Sequence, residues 1–127
     1  MKTDELMLLL DYSNIVDNDD VVDEFIEKIY EFIDSHPDLH LNQYSKILEK
    51  NNLKWDDSLK DANPDELDIT CLLAMIVAIV RADRIYEGTL NRYIRDKTIN
   101  RWLTVIREKA EQWQQKKPLI LIFLIFC

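Results

Sequence analysis

A single glycine, Gly88, serves the whole 127-residue chain, with only three prolines beside it. Sheets joined by tight turns draw on glycine at positive φ, so a chain this poor in glycine has few ways to build hairpins. Leu, Ile, Lys, Asp and Glu dominate in place of the Val and Thr that strands favour. Hydrophobic residues make up 47% of the chain and three are Trp, which argues for a packed globular protein and against a disordered one. The expectation is one all-α domain of five or six helices over residues 1–117, followed by an apolar tail at 118–127.

Apolar spacing places the helices. Leu6, Leu9 and Leu10 share a face of a short helix over 4–12. Asp17-Asn18-Asp19-Asp20 supplies turn and cap residues, after which Val22, Phe25, Ile26, Ile29 and Ile33 follow at helical spacing. That helix, about 20–35, ends near Ser35-His36-Pro37, and its other face carries Asp23, Glu24, Glu27, Glu31 and Asp34. A third helix is expected over 41–51, stopped by Asn51-Asn52, and residues 53–63 read as a polar connection carrying Trp55.

The strongest start signal is Asn63-Pro64-Asp65-Glu66: an N-cap, a proline at the first helical position and an acid at the third. Beyond it the residues from Leu67 to Val80 are apolar nearly all round. The run is shorter than the roughly 20 residues that span a bilayer, so it reads as the central buried helix, about 64–86, with Gly88 as its stop. The helices of 20–35 and 97–116 are expected to wrap it. Leu90, Tyr93 and Ile94 mark a short helix; Asp96 caps the last, whose stripe is Ile99, Trp102, Leu103, Ile106, Ala110 and Trp113.

Nine apolar residues follow Pro118 to the terminus. They are too few to span a membrane and have the composition of a buried strand, which would invite aggregation if exposed. Three placements are open: against the core, in a second copy of the chain (self-association through 119–126), or as an extension foreign to the domain.

Charge divides the chain. Residues 1–70 hold 19 acids against 6 lysines, whereas residues 71–127 hold 5 acids against 10 basic residues; the net is −8. All six arginines fall within residues 81–107. An acidic part and a basic part either pair internally or face different partners. The net charge argues against general affinity for nucleic acid.

Several side chains are candidates for binding. Arg81 and Arg84 share a helical face, Arg84 is spaced to meet Glu87, and guanidinium forks suit carboxylate or phosphate. Arg92, Arg95, Lys97 and Arg101, interleaved with Tyr93 and Trp102, have the pattern of a stacking platform for single strands. The plainer alternative for both groups is a network with the acidic half. Asp19, Asp23, Glu27 and Glu31 form an acidic edge that could imitate a phosphate backbone in the groove of another protein; the alternative is a solvated face.

Catalysis finds little support. His36 and His40 are four apart, but Pro37 breaks the helix that would join them as metal ligands, and HExxH and ExxH patterns are missing. No nucleophile elbow, glycine-rich phosphate loop or phosphate-loop lysine occurs. Cys71 and Cys127 offer neither a disulfide framework nor metal spacing, so a reducing compartment, the cytoplasm, is expected, and no cofactor is expected. The N-terminus has no secretory pattern.

The C-terminal half resembles a family of small bacterial and phage-associated helical proteins described only as a domain of unknown function. The likeness is carried by Leu73-Ala74-Met75-Ile76, then Arg81-Ala82-Asp83-Arg84-Ile85-Tyr86-Glu87-Gly88, then Ile94-Arg95-Asp96-Lys97-Thr98-Ile99, with a weaker echo over residues 44–53. It implies a compact, mainly helical domain and no reaction or ligand. The leading functional expectation is a small acidic cytosolic protein–protein interaction module, non-catalytic, with a phage- or defence-linked inhibitor meeting a basic surface as one form of it. The alternative is a binder of nucleic acid or an anionic ligand through residues 81–101.

Overall fold

A computed structural model describes residues 3–126 and the side chains of residues 5–112. Six α-helices and no strand are present among the described residues: α1 (Thr3–Leu10), α2 (Asp19–Ser35), α3 (Tyr44–Lys50), α4 (Ile69–Asp83), α5 (Thr89–Arg95) and α6 (Thr98–Phe126). They form a compact all-α bundle. Short 3-10 turns at Pro37–Leu39, Leu41–Gln43, Asp57–Asp61 and Pro64–Glu66 fill the connections.

Local chemistry accounts for most helix ends. Asn18 caps α2, its Oδ1 accepting the N–H groups of Asp20 at 3.0 Å and Val21 at 3.3 Å, and Asp19 and Asp20 sit in the first turn, where acids suit the helix dipole. Asn51 Nδ2 returns to the Ile47 carbonyl at 2.8 Å and Asn52 adopts φ 59°, closing α3 where two asparagines occur in succession. Asp96 Oδ1 accepts the Thr98 N–H at 3.1 Å at the start of α6.

The central helix departs from expectation at both ends. Asn63 does act as a cap, but for the 3-10 turn Pro64–Glu66, with Asp65 N–H donating to its Oδ1 at 3.1 Å. Asp68 then restarts the chain: it takes the Cys71 N–H at 2.7 Å and begins α4 at Ile69. The far end stops at Asp83, and Gly88 lies beyond a further turn rather than at the helix terminus. From Cys71 to Val80 every side chain of α4 is buried. Its neighbours are α3, α5, α6 and the turn at Leu41–Gln43.

Helix α2 packs chiefly on α1, so it covers α4 less than its expected wrapping role required. Val22, Phe25, Ile29, Phe32 and Ile33 still enter the common core. Residues 53–63 are more than a polar connection, because Leu59 within them is fully buried and pins the turn Asp57–Asp61. The backbone of α6 continues through the tail as helix, in place of the expected strand-like segment. The tail's side chains, Trp113 and the proposed self-association surface at 119–126 lie outside the described side chains. Among the described residues no helix is long and apolar enough to cross a membrane.

Candidate partner-binding cleft

The chain between α4 and α5 turns a sharp corner, and one carboxylate holds it. Asp83 Oδ1 accepts the N–H of Gly88 at 3.0 Å and of Leu90 at 3.1 Å. Gly88 has φ 92°, a conformation that L side chains rarely adopt, and Thr89 Oγ1 donates to the Tyr86 carbonyl at 2.6 Å. With its backbone so fixed, the corner pushes Ile85 and Tyr86 outward; they are 79% and 66% exposed.

Tyr86, Glu87 and Gly88 form part of the lining of an open cleft of about 600 Å³. Residues 55–57 and α5 contribute Trp55, Asp56, Asp57, Arg92, Tyr93 and Arg95. Trp55 is exposed but tethered, because its indole N–H donates to the Ala78 carbonyl in α4 at 3.2 Å. The ring is therefore anchored at its polar edge while part of its surface remains open to solvent. A second, shallower groove shares Glu87, Gly88 and Arg95 and adds Asp17, Asn18, Asp19 and Asn91.

The cleft's arginines are already partnered. Arg92 Nη2 lies 3.5 Å from Asp57 Oδ1, and Arg95 Nη1 lies 3.5 Å from Asp17 Oδ2. Asp57 also accepts the Tyr93 hydroxyl at 2.8 Å, and Asp17 accepts Asn91 Nδ2 at 2.6 Å. Burial first, and then the Asp57 carboxylate, push the Tyr93 hydroxyl well above its ordinary titration range. Beneath the cleft, Lys60 pairs with Asp96 and sits 4.3 Å from the centre of the Tyr93 ring. Asp19, Asp56 and Glu87 have no cation partner among the described residues. Hydrogen bonds from Ser58 hold the fully exposed Asp56 carboxyl below its usual value, so it stays ionised.

The remaining sequence candidates are distributed differently. Arg81 does not line a cleft with Arg84: its Nη2 donates to Asn42 Oδ1 at 2.6 Å and its guanidinium lies 5.7 Å from the centre of the Tyr30 ring. Arg84 is exposed, with no ion pair to Glu87. Arg101 and Arg107 donate to the carbonyls of Lys60 at 2.9 Å and Leu10 at 2.5 Å. The basic half thus bonds back onto the acidic half at several points. Asp23, Glu27 and Glu31 are exposed along α2, with Lys28 3.4 Å from Glu31.

The histidines are separate. His36 is buried and stacked on Phe32 at 4.1 Å; its Nδ1 is 3.0 Å from the Phe32 carbonyl and its Nε2 2.8 Å from Glu5 Oε2, without hydrogen-bond alignment at the latter. His40 is an exposed residue at φ 55°. Among the described residues no cluster of three or more His, Cys, Asp or Glu could hold a metal ion. Cys71 is buried, and burial, with Asp68 beside it, pushes its thiol up to about 11, away from the reactive thiolate. A smaller recess of about 160 Å³ between α1 and α2 exposes Leu8, but its Lys28 and Glu31 are paired to each other.

Of the residues proposed from the sequence for binding, Glu87, Arg92 and Arg95 line this cleft, beside Trp55, Asp56, Asp57 and Tyr86, which were not proposed. Trp55 carried one available signal, an aromatic side chain in a polar segment with no helical apolar stripe to join. Nothing local in the sequence marks Asp83 as the acceptor that builds the corner.

No curated protein and no solved structure matches the chain. A family model described as "Family of unknown function (DUF6508)" matches residues 7–112, well beyond the segments in which the resemblance was legible. With most of its length covered, from α1 into α6, the chain belongs to this family of unknown function.

Proposed function

We propose that this protein is a small, non-catalytic protein-binding module whose partner presents a basic surface, and that the cleft between residues 55–57 and α5 is the contact face. One observation carries the reading: Trp55 and Tyr86 line a single cleft and are the two aromatic rings among the five exposed large apolar side chains of the described residues, the others being Leu8, Val16 and Ile85. Exposed aromatic residues held in place are the side chains from which binding hot spots are built. Three facts favour a basic partner. Asp56 and Glu87 in the cleft, and Asp19 beside it, form no ion pair among the described residues, whereas both of the cleft's arginines are paired to a carboxylate. The acidic edge Asp23, Glu27 and Glu31 extends the same sign along α2, and the whole chain carries −8. An inhibitor of a nucleic-acid-processing protein is one form of this reading, and a cytoplasmic, phage- or defence-linked setting is where we would look for the partner. The alternative, an anionic ligand held by residues 81–101, has less support, since Arg81, Arg92, Arg95 and Arg101 are all engaged within the chain.

The test is affinity capture from host lysate with the tagged wild type, Tyr86→Ala and Glu87→Lys. The expected result is one basic protein that the wild type retains, that both variants lose, and that high salt releases as surface charge is screened. A partner held equally by all three proteins overturns the proposal, as does capture of nucleic acid alone.

A further inference from the structure

We propose that the cleft contains a subsite for a single cationic side chain, best filled by an arginine of the partner, with Trp55 and Tyr86 supplying ring faces and Glu87 and Asp56 the counter-charge; the idea rests on the protein-binding reading above. Four observations converge on it. Both rings line the same open cleft and both keep solvent-exposed surface, 43% for Trp55 and 66% for Tyr86. A cation over an aromatic face is attracted by the ring's quadrupole, most strongly over Trp. Trp55 cannot simply fold away, because its indole N–H is bound to the Ala78 carbonyl. Glu87 and Asp56 line the cleft without an ion pair among the described residues, Lys54 acting on Asp56 only from beyond ion-pair distance, whereas Asp57 is occupied by Tyr93 and Arg92.

The molecule already uses this arrangement on a neighbouring ring. Lys60 sits 4.3 Å and the Arg92 guanidinium 5.8 Å from the centre of the Tyr93 ring, with Asp57 and Asp96 closing the charge. The proposed subsite has the same components, aromatic ring and carboxylate, with the cation still to be supplied. Arginine suits it better than lysine because the guanidinium plane can stack on a ring and donate to a carboxylate with the same group. An anionic side chain in that position would meet Glu87 and Asp56 with the wrong sign, and the nearby arginines would have to leave Asp57 and Asp17 to help it.

Titration of the isotope-labelled full chain with triarginine, trilysine and triglutamate, followed by amide and indole N–H resonances, tests the subsite. Triarginine should shift the Trp55 indole N–H and the Gly88 amide in a saturable way. Trilysine should bind more weakly, and triglutamate should leave both signals in place. Tyr86→Ala should weaken triarginine about two- to fivefold, the size expected of one exposed cation–π contact. Glu87→Gln should weaken it by a factor that shrinks as salt is raised. No saturable shift with triarginine, the same shift with triglutamate, or unchanged affinity in Tyr86→Ala overturns the subsite. If a cellular partner is nonetheless lost in Tyr86→Ala, the docking face stands and only the cation subsite falls; if capture is unchanged too, both fall.

Discussion

From Cys71 to Val80 no side chain of α4 is more than 2% exposed, yet Ile85 and Tyr86, little more than a turn further on, are 79% and 66% exposed. The residues are of similar chemical type; their surroundings differ. Along α4, apolar side chains on every face meet α3, α5 and α6, and their burial is part of what folds the chain. At the corner the backbone is bound just as firmly, through Asp83, but it holds the side chains outward. Apolar surface that does not contribute to folding, on a rigid backbone, is available to a partner at little entropic cost.

The largest test of this contrast compares Leu72→Ala with Ile85→Ala. Leu72 is fully buried, so its truncation should cost about 2–5 kcal/mol in urea unfolding through lost burial and a residual cavity. Ile85→Ala should stay within about 0.5 kcal/mol, as surface changes do. A loss above about 2 kcal/mol for Ile85→Ala would mean that the corner supports the fold after all, and would remove the reason to read it as a contact face.

Asp83 comes next. Replacing it by Ala strands two amide donors, Gly88 and Leu90, and should cost about 1–3 kcal/mol. Asp83→Asn keeps an acceptor oxygen and should cost clearly less. Amide exchange at Gly88 and Leu90 separates local from global effects: in Asp83→Ala both should exchange much faster than amides in α4. Uniform acceleration throughout the chain would show that the corner is not an independent unit.

The two regions also differ in how far the sequence reveals them. Helix α4 is legible because burial on all faces leaves a plain mark, an unbroken apolar run, and α2 is legible from its stripe and Asn18. The exact ends of α4 are not, since Asn63-Pro64 caps a 3-10 turn as readily as an α-helix, and Asp68, five residues later, competes successfully for the start. Leu59 is a single apolar residue in a polar segment, and no periodicity can announce a one-residue anchor. The cleft is harder still. Its members come from residues 55–57, 86–88 and α5, and only tertiary packing brings them together. Sequence could propose Arg92 and Arg95 as free cations; it could not show that Asp57 and Asp17 lie 3.5 Å away.

Gly88→Ala sharpens the contrast at the backbone level. No atom lies within 4 Å of an added Cβ, so sterics with neighbours cost nothing and only the conformation at φ 92° opposes the change. About 1–2 kcal/mol is expected, of the order of a left-handed L residue. Since Asn tolerates positive φ better, Gly88→Asn should recover part of the loss. If Ala is as stable as Gly in thermal unfolding, the corner has relaxed to another backbone and its outward display of Tyr86 should change with it.

The smallest effect belongs to the other end of α5, where Asp96 meets Lys60 and caps α6. Partial burial alone would raise this carboxyl, but hydrogen bonds from Lys60 and Thr98 outweigh it, and the group sits below its ordinary value. A depressed folded value means that the ionised carboxylate adds stability above about pH 4, the unfolded value, and that this is lost as pH falls through the depressed one. Asp96→Asn keeps an oxygen for the Thr98 N–H and removes only the charge facing Lys60. Its urea midpoint should therefore lie slightly below wild type at pH 7, and the gap should close once the pH has fallen below the depressed value, where both side chains are neutral. Because Asp96 is 37% exposed, solvent screens the pair, and added salt should narrow the gap at pH 7 as well. A gap that persists unchanged from pH 7 to acid would assign Asp96 to geometry rather than charge, making this corner like the Asp83 corner, where the hydrogen-bonded backbone is what the carboxylate maintains.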